Sequence, residues 1–343
     1  MAKKAKKEFD GIFMELDRVF LPEQEKFLVT DNVPPRFLHE FELMNFRVDY
    51  YPDLDNDELS QIIHLYTGIV MSSHILLDKQ MLSKADDLKY ILRPGSGLDN
   101  LDMAYAEDHN ILVLNSPEAN KDAVGEHAIG LLLSLLNHIP RSFEQVKHHK
   151  WLREQNKGIE IKGKTIGIIG YGNTGEAFAT KIQGFQSEVL AYDKYKTNFS
   201  SKIAKESTLE EIYAQAHILT LHVPLNHETY HFVDDAFIEK IYRPFYLINT
   251  SRGKVVDTEA VLRGIKSGKI LGAALDVLEN EKLSTYTEEE EELFDKLIKT
   301  KKVIITPHIA GWTKEAREKI FFYVLDKFKE HLRLTENTDR FSE

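Results

Sequence analysis

The stretch Thr165-Ile166-Gly167-Ile168-Ile169-Gly170-Tyr171-Gly172-Asn173-Thr174-Gly175 decides the fold. Its first five residues read as a buried strand, and a Gly-x-Gly-x-x-Gly turn closes it. Such a glycine set is weak alone, because glycine is common in turns. Here the context supports it: a strand precedes the turn, and a helical pattern, Gly175–Gln183, begins at its end. The first glycine permits the tight turn and the second lets backbone approach a pyrophosphate. The third lets helix and strand pack closely. Phosphates would then face Asn173, Thr174 and the positive end of the helix dipole. The next strand, Glu188–Tyr192, ends in Asp193, roughly eighteen residues past Gly175, close to the expected spacing. Its carboxylate would accept hydrogen bonds from the adenosine ribose hydroxyls and repel a 2′-phosphate, which favours NAD over NADP. Lys194 beside it blurs that preference.

Outward from this unit, Ile218–Leu221, Tyr246–Asn249, Gly272–Leu275 and Val303–Ile305 read as further strands, and Thr208–Ala214 and Thr258–Ser267 as helices between them. Six strands alternating with helices describe a doubly wound dinucleotide fold. An upstream block, from about Glu25 to Asn120, alternates in the same way. Its strands are Lys26–Thr30, Phe46–Tyr50, Thr67–Met71, Tyr90–Arg93 and Ile111–Leu114, with a helix over Pro35–Met44. A helix over Lys121–Leu136 is too densely apolar to face solvent and is expected at a domain junction. A second follows through Ser142 to Trp151. A long terminal helix, Thr313–Leu332, is expected to return to the first block. The fold class is therefore α/β with two doubly wound parallel-sheet domains. One comprises residues 1–119 and 308–343, the other residues 120–307.

Composition narrows the function. The 343 residues suffice for two domains with separate cores. A 29% charged fraction argues against a membrane protein, and the apolar run Ile129–Leu136 is too short to span a bilayer. A net charge of -11 argues against general nucleic-acid binding. The chain has no cysteine, which excludes disulfides, thiolate nucleophiles and cysteine metal sites and fits a cytoplasmic location. The basic start, Met1–Lys7, has no apolar segment behind it and reads as a solvated terminus rather than a signal. The acidic run Glu288–Glu292 reads as a solvated helix face.

Three polar residues supply the chemistry: Arg252 in Asn249-Thr250-Ser251-Arg252-Gly253, Glu281, and His308 in Thr306-Pro307-His308. A planar guanidinium can hold a carboxylate through two parallel hydrogen bonds. A buried imidazole backed by Glu281 would have its tautomer fixed and its pKa raised, keeping a proton available. Together they describe hydride and proton transfer on a 2-keto acid, with Arg252 on the carboxylate and His308 on the carbonyl oxygen. No Gly-x-Ser-x-Gly elbow exists. No metal is expected, since His148-His149 and His222, His227 and His231 lack partner ligands at convincing spacing.

Several motifs now carry a resemblance: Gly95-Ser96-Gly97-Leu98-Asp99-Asn100, Ala123-Val124-Gly125-Glu126-His127, His222-Val223-Pro224-Leu225, Asn249-Thr250-Ser251-Arg252-Gly253 and Pro307-His308-Ile309-Ala310-Gly311. In this order, over roughly residues 26 to 332, the chain resembles the D-isomer-specific 2-hydroxyacid dehydrogenase family. The resemblance implies a Rossmann NAD-binding domain and a flavodoxin-like substrate domain. The implied activity is phosphoglycerate dehydrogenase-like or glyoxylate/hydroxypyruvate reductase-like. The Ser96 and Gly97 amides would hold the substrate carboxylate with Arg252, and Asn100 would support that loop. Val124, Val223, Pro224, Thr229, Thr250, Asp276 and Gly311 would line the cofactor, with Asp276 facing the carboxamide. A homodimer built on the helix from Lys121 onward, and a cleft that closes between domains, are also implied. The family's corepressors, which bind NAD(H) without turnover, give the alternative. This chain departs from the family pattern at three places. Ser72-Ser73 stands where phosphoglycerate dehydrogenases carry Arg-Ser, which places both serines at the substrate. Lys282 replaces the proline that commonly follows the catalytic glutamate. Residues 1–25 form an extension with no assigned role.

Overall fold

The computed structural model describes residues 24–339, with side chains through residue 333. The terminal stretch Met1–Lys7 and nearly all of the extension lie outside the described residues. Two parallel sheets organise the chain. The first contains β1 (Lys26–Val29), β2 (Arg47–Tyr50), β3 (Gly68–Val70), β4 (Tyr90–Arg93) and β5 (Leu112–Asn115), in the order β2-β1-β3-β4-β5. This is the flavodoxin-like order. The second contains β6 (Thr165–Ile169), β7 (Glu188–Tyr192), β8 (Lys205–Glu206), β9 (Ile218–Leu221), β10 (Phe245–Asn249), β11 (Ile270–Leu275) and β12 (Val303–Ile305). Its order is β12-β11-β10-β9-β6-β7-β8, so the winding reverses between β6 and β9. Ligands of such sheets bind in the crevice beyond the strand ends at that reversal.

This sheet has seven strands rather than the six expected. The seventh, β8, is the dipeptide Lys205-Glu206 at the edge, and two charged residues carry no apolar signal. The helix after the glycine turn spans Asn173–Ile182 and starts earlier than the sequence suggests, with Gly172 as its N-cap. The turn is thus part of the helix terminus itself. The helix expected over Ser142–Trp151 runs instead from Ile139 to Lys147, because Pro140 initiates it and His149 leaves helical geometry at φ 57.

The terminal helix, Lys314–Asp339, does pack against the first sheet. Phe321, Val324, Leu325 and Phe328 join Phe27, Phe37, Phe41 and Leu92 in one apolar cluster. The Phe328 ring lies 5.4 Å from Phe27 and 6.0 Å from Phe41. Each such ring contributes about 1.5–3 kcal/mol through burial. The Lys121–Leu136 helix buries Leu131, Leu132, Leu135 and Leu136 against the second sheet.

Candidate active site

The glycine turn has the geometry that a dinucleotide needs. Gly170 adopts φ 92, in the left-handed region. A side chain on Gly175 would lie 2.1 Å from the Gly170 carbonyl oxygen, so helix and strand can approach only without one. Gly172 faces open space, and no side chain caps the helix that begins at Asn173. Its first N–H groups are therefore free to receive a phosphate. Asp193 is anchored beside them. Its Oδ2 accepts from Tyr171 N at 2.8 Å, and its Oδ1 from Tyr195 N and Lys196 N at 2.9 and 3.0 Å. About four acceptor sites on a carboxylate leave room for one ribose hydroxyl at Oδ2, not two. At the other end of the groove, Thr250 Oγ1 is buried without a hydrogen-bond partner. Such an orphan fits a polar group brought by a cofactor. Val124 is buried, Val223 half-buried and Pro224 exposed. Thr229 spends its hydroxyl within its own loop, donating to Pro224 O at 2.6 Å, and so shapes the cofactor-side loop.

His308 follows β12 with φ 54, a strained position for a residue with a side chain. Its Nδ1 donates to Glu281 Oε2 at 2.9 Å, which leaves Nε2 for an external partner. The pair is not buried as the sequence suggests: the side chains are 46% and 44% exposed. Asp276 supports the same loop. Its Oδ1 accepts from Thr306 Oγ1 at 2.5 Å and Ile309 N at 3.0 Å, and its Oδ2 from Ala310 N at 2.8 Å. His127 Nε2 stands 3.3 Å from Oδ1. These contacts clamp the His308 loop from beneath and leave one acceptor site on Oδ2. Burial alone would raise its pKa. His127, Thr306 and the two amides outweigh burial and hold it below the ordinary value. Asn120 carried no motif signal, and His127 stood in a motif without a role of its own, because their work is to hold other residues.

Arg252 follows β10, and its turn is fixed by Asn249, which donates to Arg252 O and accepts from Ser251 N and Oγ. Its NH1 donates to Ser251 O at 2.8 Å, and its Nε to Asp99 Oδ2 at 2.7 Å. NH2 lies so close to Gly97 that an added Cβ would sit 1.9 Å away. Three of the five donors remain, all on the NH1–NH2 end of the fork. That end meets the Ser96-Gly97 loop. Ser96 Oγ donates to Asn120 Oδ1 at 2.8 Å, and Asn120 in turn packs on Gly311, where a Cβ would meet its Nδ2 at 2.6 Å. Gly311 thus serves a close approach between loops. Asn100 Nδ2 donates to Ile75 O at 2.6 Å and ties down the segment from Ser72 to Ile75. Ser72 is buried with its hydroxyl 2.9 Å from His74 Nδ1, and Ser73 is exposed. Arg93 had no motif signal beyond its neighbours. It is half-buried near Arg252, Asp99 and Asp31, its Nε is unpartnered, and a terminal N–H donates to Pro94 O.

Residues 129–310 match the family described as D-isomer specific 2-hydroxyacid dehydrogenase, NAD binding domain. The chain belongs to this family. This dehydrogenase is 34% identical over 278 residues to a hydroxypyruvate reductase of Thermotoga maritima, covering 81% of this chain and 89% of that one. It is 33% identical to a D-3-phosphoglycerate dehydrogenase of Archaeoglobus fulgidus, covering 85% of this chain and 54% of that one. The chain therefore spans about half the length of that relative. Among solved structures, D-lactate dehydrogenase of Aquifex aeolicus, complexed with NAD and lactic acid, has a TM-score of 0.77 and 27% identity, covering 90% of this chain and 96% of that one. The dehydrogenase is thus an NAD-dependent oxidoreductase that acts on a CH–OH donor of a D-2-hydroxy acid. Among the described residues, no group of three or more His, Cys, Asp or Glu is placed to hold a metal ion, and no helix is long and apolar enough to cross a membrane.

Proposed function

We propose that this dehydrogenase interconverts a small, unphosphorylated 2-keto acid of the glyoxylate or hydroxypyruvate class and its D-2-hydroxy acid. One observation carries the reading. The Arg252 fork and the His308–Glu281 pair leave the same end of one sheet, while Arg252 reaches across to Asp99 and Gly97 of the first block. Bound nicotinamide would supply the hydride to the carbonyl carbon. The free N–H groups of Arg252 and the amides of Ser96 and Gly97 hold the carboxylate and fix the carbonyl face. His308 Nε2 moves the proton to or from the substrate oxygen, and Glu281 stabilises the imidazolium that forms in the oxidative direction. A distal phosphate would need a further unneutralised cation. Ser72 offers none, and the Arg93 guanidinium lies near the Asp31 and Asp99 carboxylates.

The assay is NADH oxidation against glyoxylate, hydroxypyruvate, pyruvate, 2-ketoglutarate and phosphohydroxypyruvate. The highest kcat/KM is expected for glyoxylate or hydroxypyruvate; a preference for phosphohydroxypyruvate would overturn the assignment. Negligible turnover on all five would favour the corepressor-like alternative.

The proposal extends to assembly and place. The helix Ile139–Lys147 has no buried residue, and Ile139, Phe143, Val146 and nearby Trp151 are exposed, Trp151 at 77%. An apolar face continuous with the Lys121–Leu136 helix suits a second copy of the chain. A homodimer is expected by light scattering, and Phe143→Glu should dissociate it. The division into residues 1–119 with 308–343 and residues 120–307, a closing cleft, and a cytoplasmic location complete the proposal; the absence of cysteine supports the last.

A further inference from the structure

Lys194 directly follows the ribose-facing Asp193, where a cation is positioned to accept the 2′-phosphate of NADP. The structure shows where that cation goes. Lys194 Nζ donates to Glu228 Oε1 at 2.5 Å, and Tyr195 Oη donates to the other carboxylate oxygen at 2.6 Å. Glu228 belongs to the loop after β9, whereas Lys194 and Tyr195 belong to the loop after β7. In the sheet these two strands flank β6, which ends in the glycine turn. The contacts therefore bridge the groove where the adenosine end of the cofactor lies. Loop geometry fixes both partners. Asp193 caps the Tyr195 and Lys196 amides, and Asn226 Oδ1 accepts from Glu228 N at 2.9 Å. The second lysine of the segment is also engaged. Lys196 Nζ donates to Tyr171 O at 3.3 Å and lies over the Tyr171 and Phe199 rings.

We propose that Glu228 is a cofactor-selecting residue: by holding the Lys194 ammonium it withholds that cation from a 2′-phosphate and sets the enzyme for NAD(H) over NADP(H). Asp193 then repels the phosphate without local compensation. The mutual hydrogen bond raises the lysine pKa and lowers that of the glutamate, so both stay charged at neutral pH. The inference rests on NAD use by the family and on no choice of substrate.

Calorimetric titration with NADH and NADPH tests it on four proteins: wild type, Glu228→Gln, Lys194→Ala and the double variant. Glu228→Gln should tighten NADPH relative to NADH by about fivefold, the scale of an exposed charge pair. The gain should shrink as salt is added. It should vanish in the double variant, because it runs through Lys194. Equal changes for both cofactors would make Glu228 a loop anchor only and overturn the proposal. A gain that survives loss of Lys194 would overturn it too. Failure of the substrate reading would leave these titrations unaffected.

Discussion

Removing the Asp276 carboxylate should damage stability and catalysis through one cause. The side chain is wholly buried and holds the His308 loop by the amides of Ile309 and Ala310 and the hydroxyl of Thr306. In Asp276→Ala, the buried Ala310 amide loses its acceptor outright, at about 1–3 kcal/mol. The Ile309 amide loses a bond that water can replace in part, at about 1 kcal/mol. The sum is about 3 kcal/mol, readable as a shift in urea unfolding. His308 sits at φ 54 and relies on its surroundings to stay there. With the clamp gone, displacement by about an ångström should cost roughly a hundredfold in kcat, while NADH affinity changes little. Asp276→Asn separates charge from shape, since it keeps one acceptor but turns an amide toward the Ala310 N–H or the Thr306 hydroxyl. The sign of the pH effect also follows. A carboxyl held below its unfolded pKa of about 3.9 contributes stability above that value and loses it as pH falls through the folded pKa. The acid limb of stability should therefore be shallower in Asp276→Asn. A loss below about 1 kcal/mol in Asp276→Ala, with kcat within twofold of wild type, would refute the clamp.

Other substitutions probe the remaining parts. His308→Ala should lower turnover by about a hundredfold or more while NADH still binds; near-normal turnover would exclude His308 as the proton carrier. Arg252→Lys keeps the charge but loses the Nε bond to Asp99 and the planar fork, so kcat/KM for the keto acid should fall well before NADH affinity does. Gly175→Ala places a carbon 2.1 Å from the Gly170 carbonyl oxygen and should abolish NADH binding, measured by calorimetry.

The sheet interiors were legible in the sequence because a parallel strand buried on both faces leaves a continuous apolar run. β6, β7 and β9 match their expected bounds. β8 was not legible, since an edge strand needs only backbone pairing and its two residues are charged. The start of the Ser142 helix was missed for a different reason. Its face is apolar but faces outward, so periodicity marked a helix without marking where the chain turns into it.

The site divides along the same physical line. Residues proposed to touch a ligand stand at strand ends or in glycine turns, and local sequence exposes them: Gly170, Asp193, Arg252 and His308. Residues that hold those groups can come from anywhere, because their partner is fixed by the fold. Asp99 reaches Arg252 across 153 positions, and Asp276 reaches Ala310 across 34. Asp276 was found by resemblance to the family, whereas its contacts to the loop that carries His308 are legible only in the fold. The two strands that bear Arg252 and Asp276 are neighbours, β10 and β11, and His308 follows β12 beside them. The proton carrier and the carboxylate clamp are therefore set in register by the sheet, and the Asp99 contact ties the neighbouring Arg252 to the other block. Loss of the Asp99 carboxylate should accordingly raise KM more than it lowers kcat, the reverse of what loss of the Asp276 clamp should do.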